Sequence, residues 1–292
     1  MDLAFGILAG ILVAATPLIF AALGELVVER SGVLNLGVEG MMVIGAIAGF
    51  AATLGTGSYV AGFTAAMLAG AIMALLFGVL TQVLLSNQVA TGLALTLFGL
   101  GLSALIGQSY SGKSAGTFPR LVGSIDVVAL FAIGAALAIG WVLTRTRAGL
   151  VLRAVGENHD AAHAVGLGVV RVRLAAIAFG GAMAGIGGAY LSLVQTPFWV
   201  ERMTAGRGWI ALALVVFAAW RPGRVLAGAY LFGGIAILQL HAQGLGLAVD
   251  AQILSMLPYL ATTLVLVVMS HERWKARLDA PASLGKVFYA PA

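Results

Sequence analysis

The chain has 292 residues, of which 61% are hydrophobic and 9% charged, where soluble domains carry about 25% charged residues. So few polar groups cannot cover a water-facing globule of this size, and a mean hydropathy of +1.05 puts most of the surface in lipid. The net charge of +5 is spread over 16 sparse basic residues without interleaved aromatics, which argues against a nucleic-acid interface, and the lack of cysteine excludes disulfides and thiolate chemistry.

Met1, Asp2 and Leu3 provide no basic leader, and the apolar run that follows outlasts a signal-peptide core, so the chain is expected to open on a retained span. Roughly 20 apolar residues are needed per crossing. Walking between polar breaks predicts nine crossings, near 3–24, 37–54, 59–84, 89–109, 126–143, 173–194, 208–220, 224–241 and 253–270. The expected fold class is therefore all-α, a polytopic transmembrane helical bundle. One membrane domain covers 1–279, and a loosely held cytoplasmic tail follows over 280–292.

If those spans alternate, Arg30, Arg145, Arg147, Arg153, Arg171, Arg173, Arg221, Arg224, Arg273, Lys275, Arg277 and Lys286 share one side, opposite only Lys113, Arg120, Arg202 and Arg207. Short basic loops stay in the cytoplasm, so the first residue is expected outside and the last inside. Making 208–220 re-entrant would send Arg273 to Arg277 outside, so it reads as a short, broken crossing. The spacings Gly6 to Gly10, Gly45 to Gly49 and Gly181 to Gly185 let helix backbones approach closely and are expected to pack helices within the subunit.

Two motifs look enzymatic. Gly107 to Ser114 matches the phosphate-loop pattern, with Gly112, Lys113 and Ser114 at its end, but a long apolar span precedes it where a strand is required, so a Gly/Ser-rich external loop is expected. His159 and His163 are spaced like zinc-protease ligands, yet Asp160 stands where that chemistry needs Glu and no third ligand is near. No metal site is expected.

The longest polar interruption runs from Thr144 to Arg173. A short helix fits within it, begun by Asn158 and stopped by Gly166. Its small residues could lie in the cleft of a partner, with Arg153 and Glu157 at the rim. Aligned on those residues, Asp160-Ala161-Ala162 followed by Gly166 resembles the coupling loop of ABC permeases, with Asp for the usual Glu. Three further stretches are similar to the nucleoside and simple-sugar branch of the branched-chain amino acid and ribose permease superfamily. They are Glu29 to Met42, with Asn35, Gly37, Glu39 and Gly40; Asn87 to Leu95, with Gln88, Thr91 and Gly92; and Met203 to Ala213, with Gly206, Arg207 and Gly208, followed by Trp220, Arg221 and Pro222. His159, Ala218 and Thr96 depart from the common pattern, Thr96 replacing an Asn that bears on the solute.

The resemblance implies a permease subunit of an importer in a bacterial inner membrane, for a nucleoside or simple sugar. It further implies a second permease subunit, the same or homologous, two cytoplasmic ATPase subunits that hydrolyse ATP, and an external substrate-binding protein. It gives this chain no cofactor of its own and no catalytic residue. Arg153, Glu157, Asn158, Asp160, Ala161, Ala162 and Gly166 are the expected contacts to the ATPase. Thr91, Thr96, Gln195, Trp209 and Gln239, polar or aromatic groups set among apolar spans, are the expected pathway lining. Two other readings remain open: an ion-coupled transporter, for which Glu39 is the best carboxylate, and, less favoured, an intramembrane metalloprotease on His159 and His163.

Overall fold

In hydrocarbon the backbone can bond only to itself, so long apolar runs fold as helices. The computed structural model describes residues 2–244 and 280–289, with Met256, Leu260, Thr263 and Val267. In chain order the helices are α1 Asp2–Arg30, α2 Val38–Thr56, α3 Tyr59–Gly78, α4 Gln88–Gly107, α5 Val127–Arg145, α6 Arg147–Glu157, α7 His159–Ala164, α8 Val169–Tyr190, α9 Arg207–Phe217 and α10 Pro222–Gly244. π turns over Val79–Val83 and Leu191–Gln195 extend α3 and α8. Helices α1 to α5 and α8, with those extensions, are long and apolar enough to cross a bilayer. Polar side chains start several of them: Ser58, Asn87 and Asp126 each accept the backbone N–H three residues ahead.

The predicted helical bundle is therefore what the chain forms, with a two-stranded hairpin, β1 Arg120–Val122 and β2 Ile125–Asp126, as a small addition beside it. The crossing expected over 253–270 lies outside the described residues, except that Met256, Leu260, Thr263 and Val267 are helical. Arg273, Lys275 and Arg277 also lie outside them.

Helix α8 packs against α1, α2 and α3, and glycines make that possible. A β-carbon on Gly45 would overlap the backbone of Gly185, and one on Gly185 would overlap the Ala66 carbonyl. Gly181 meets Gly70 in the same way. The expected intrasubunit role of these glycines holds, whereas Gly6 faces open space and Gly10 meets Ile237.

Three local outcomes differ from the sequence reading. The interruption after α5 holds two helices rather than one, because Thr146 caps α6 by accepting from Gly149 N at 3.1 Å before Asn158 caps α7 by accepting from Ala161 N at 3.0 Å. The 280–289 segment is not loosely held: Pro281, Ser283 and Phe288 are buried, and Ser283 N donates to Gly156 O at 2.9 Å. Arg173, placed on the cytoplasmic side where the polar interruption meets the 173–194 span, is fully buried.

Candidate functional site

Two places combine buried charge with irregular backbone. The first is level with the middle of α4. Helix α2 begins beside the middle of α4, where a β-carbon on Gly40 would sit 2.7 Å from Leu95 O and one on Gly99 would sit 2.8 Å from Gly40 Cα. The chain before α2 is non-helical at that depth, so side chains supply its partners. Gln88 Oε1 accepts from Leu34 N at 2.8 Å, Glu25 accepts from Asn35 N at 3.2 Å, Asn35 Oδ1 accepts from Gly37 N at 2.9 Å, and Thr96 Oγ1 donates to Leu36 O at 3.1 Å. Irregular backbone survives at membrane depth only when protein meets its polar groups.

Helix α9 reaches the same level from the other direction. Its 11 residues rise about 16 Å, half of a hydrocarbon core of about 30 Å. Its first turn rests on Glu39, whose carboxylate accepts from Thr204 Oγ1 at 2.5 Å, Gly206 N at 2.8 Å and Gly208 N at 2.6 Å. A carboxylate there satisfies N–H groups that the helix cannot, and it complements the positive end of the helix dipole. Gly206 has φ of +81°, and a β-carbon on Gly208 would lie 2.5 Å from Glu39 Cα, so both glycines are needed for the approach. The far end of α9 is held by Trp220, whose indole donates to Glu29 at 2.6 Å and whose carbonyl accepts from Arg30 at 3.1 Å.

The second place is the end of the bundle that carries α6 and α7. Asp160, Ala161, Ala164 and Val165 point away from the chain, while His159 and Ala162 point into it. Gly166, at φ of +87°, ends the helix and has open space around it. His159 Nδ1 lies 3.1 Å from Arg173 Nη2. Because a guanidinium only donates, Nδ1 accepts and the imidazole is neutral, with its proton on Nε2 on the side of Asp160. Burial, and then Arg173 and Lys286, hold the His159 pKa below its usual value against the opposing pull of Asp160.

Residues 7–269 match the family described as the permease component of branched-chain amino acid transport systems. The chain belongs to that family. Among its relatives is a putative glucose ABC transporter permease of Haloferax volcanii, 41% identical and covering 97% of both chains. A guanosine ABC transporter permease of Bacillus subtilis is 32% identical over 94% of this chain and 93% of its own. A nucleoside ABC transporter permease of Lactococcus lactis is 30% identical over 90% and 91%.

In this integral membrane permease the five expected lining residues fall into two groups. Thr96 and Trp209 flank the Glu39 level, and Thr91, half-buried with its hydroxyl 2.9 Å from Ser86 Oγ, lies one turn along α4. Gln195 belongs to the other end, where it lines a cavity of about 180 Å³ with Arg120, Asp126 and Ile237. Gln239 is two residues beyond Ile237 on α10 and half-buried. Of the expected ATPase contacts, Arg153, Glu157, Asn158, Asp160, Ala161 and Gly166 are exposed. Ala162 is not: it packs with Val155, Val169 and Phe288 inside the subunit.

The enzymatic motifs are otherwise employed. After Gly107 the chain makes a short 3-10 turn over Gln108–Tyr110, Lys113 Nζ sits 5.2 Å over the Tyr110 ring, and no helix starts at Ser114. His159 and His163 both lie 5.4 Å from the Phe288 ring. Glu39, read from the sequence as interfacial or packing, packs level with the middle of α4, where it holds the start of α9. Arg207, assigned to the outer side, starts α9 beside the Glu39 carboxylate and donates to Met203 O at 3.0 Å. Its position beside Gly206 and Gly208 carried no depth signal, since the residues before α9 lack helical periodicity.

Proposed function

We propose that this permease forms half of a solute pathway for a nucleoside or simple sugar and that α7 receives the movement of a cytoplasmic ATPase subunit. The observation that carries the solute class is the run of near full-length relatives named for glucose, guanosine and nucleosides. Thr91, Thr96 and Trp209 belong to the pathway at the level of the broken crossing, where polar and aromatic groups suit a neutral polyhydroxylated ring. Gln195 and Gln239 border it nearer the opposite end.

A second permease subunit supplies the other wall, an external binding protein delivers the solute, and ATP is hydrolysed by the partner subunits. For the coupling role, the exposed face of Asp160, Ala161, Ala164 and Val165 is small enough to lie in a cleft, and Arg153 and Glu157 stand at its rim. The ion-coupled reading loses its best residue, because the Glu39 carboxylate already meets three donors of its own chain.

The test uses the complete importer in membrane vesicles. Labelled guanosine and glucose should compete for ATP-dependent uptake with unequal potency, one at least tenfold better, and Trp209→Ala should weaken the better one. Ala161→Cys, the sole thiol, should cross-link to the ATPase subunit and resist an impermeant reagent in intact cells. Uptake of neither solute, or labelling of that cysteine from outside, overturns the reading.

A further inference from the structure

A buried guanidinium keeps its charge, so each of its N–H groups must find an acceptor. Arg173, in the first turns of α8, finds acceptors on four separate segments. Its Nε donates to Ser31 O at 3.2 Å in the turn after α1, and its Nη1 donates at 3.2 Å to both Gln82 Oε1 in the π turn of α3 and Lys286 O. Its Nη2 donates to His159 Nδ1 in α7 at 3.1 Å.

The 281–289 segment ties two of these, α7 and the turn after α1, a second time and adds the end of α6. Ser283 N donates to Gly156 O at the end of α6, and Ser283 Oγ donates to Glu157 O at 3.3 Å while accepting from His159 N at 3.4 Å. Gly285 N donates to Gly32 O at 3.0 Å. Phe288 completes the arrangement, its ring in contact with both His159 and His163 and buried with Val155, Ala162 and Val169. The inward face of α7 is thus covered by a segment far away in sequence, while its outward face is open.

We infer that residues 281–289 and Arg173 form a strap that transmits displacement of α7 to α1, α3 and α8, with Arg173 and Phe288 as its positioning residues. Helix α7 has only six residues and a glycine stop, so alone it would pivot on its flanking turns. The strap gives a push on its outer face a path of direct contacts: through Phe288 and Ser283 to α6 and the turn after α1, and through Arg173 to α8 and the π turn of α3. A single π turn is a place where a helix can shift register locally. This inference rests on the coupling role proposed for α7.

The test uses the complete importer in proteoliposomes, with stimulation of ATP hydrolysis by the loaded binding protein as the readout. Phe288→Ala should leave assembly and basal hydrolysis intact while lowering stimulation and uptake at least about fivefold, the lower bound of an ordinary intersite coupling. Phe288→Tyr, which keeps the ring, should behave as the parent. Deletion of 281–289, compared among molecules that insert and bind the ATPase, should uncouple further. Stimulation within twofold of the parent in both Phe288→Ala and the deletion overturns the strap. Cross-linking of Ala161→Cys to the ATPase subunit, measured in the same samples, separates the two readings. Its absence in the parent background overturns the coupling role, whereas its presence with stimulation kept in both Phe288→Ala and the deletion overturns the strap alone.

Discussion

Glu39 and Arg173 are both buried charges that hold irregular backbone, and they do so with opposite hydrogen-bonding character. Glu39 accepts from three donors, two of them backbone N–H groups at the start of a half-length helix. Arg173 donates to two backbone carbonyls, a side-chain amide and an imidazole. A buried N–H has one chance of a partner and a carbonyl has two lone pairs, so orphaned donors cost more than under-used acceptors. Glu39 also joins just two elements and is itself buried. Arg173 joins four segments at the end of the bundle, where water can enter if they part. The first arrangement suits a fixed point and the second a moving joint.

The largest effect should come from Glu39→Ala, which strands three donors at membrane depth. A loss of at least about 3 kcal/mol is expected, read as a large fall in thermal stability of the purified protein and loss of uptake. Glu39→Gln should fall between, because one oxygen remains while the new NH2 faces donors. Arg173→Met, of similar length and uncharged, should cost about 2 kcal/mol. If it costs as much as Glu39→Ala, the distinction between orphaned donors and orphaned acceptors fails.

Gly166→Val should cost about 1–2 kcal/mol, the penalty for a left-handed backbone at a residue with a β-carbon. A β-carbon there meets nothing within 4 Å in this chain. Any loss of ATPase binding beyond that local strain therefore reports the partner's surface. Ala162→Glu would not report that surface, since it would act by burying a charge inside the subunit.

The smallest effect should be pH-dependent. With its folded pKa depressed, neutral His159 contributes stability that is fully present above about pH 6.5, the unfolded value, and is lost as pH falls through the lower folded value. Hydrogen-exchange protection at α7 and 281–289, normalised to the intrinsic rate at each pH, should fall between pH 7.5 and pH 5.5, and His159→Gln should flatten that response. An unchanged pH response in His159→Gln would assign the titration elsewhere.

Much of this was legible in the sequence because hydrocarbon enforces one rule on every span. The long helices, the shortness of the 208–220 crossing, and the start and stop of α7 at Asn158 and Gly166 all follow from local composition. Glu39 and Arg173 were harder, since a charge next to a polar break reads as solvated until tertiary contacts reveal what covers it. The 281–289 segment was missed for the same reason: Pro281, Ser283 and Lys286 look like a solvated tail, and only Phe288 hints at docking. Thr91, Thr96, Gln195, Trp209 and Gln239 stand out in the sequence by residue type alone, which carries no information about level in the bundle, and the structure divides them accordingly.

The glycine contacts between α2, α3 and α8 have a consequence for how such a subunit can change shape. Where backbones touch without intervening side chains, sliding one helix past another would drive carbonyls into α-carbons, so these three helices behave as a chassis. Alternation between outward and inward states would then move this unit as one body, together with α4 and α9 that are locked to α2 through Gly40 and Glu39, against the less closely packed α5 and α10. Spin labels on α2 and α8 would keep a constant separation throughout the cycle, while a label on α10 would change its distance to both.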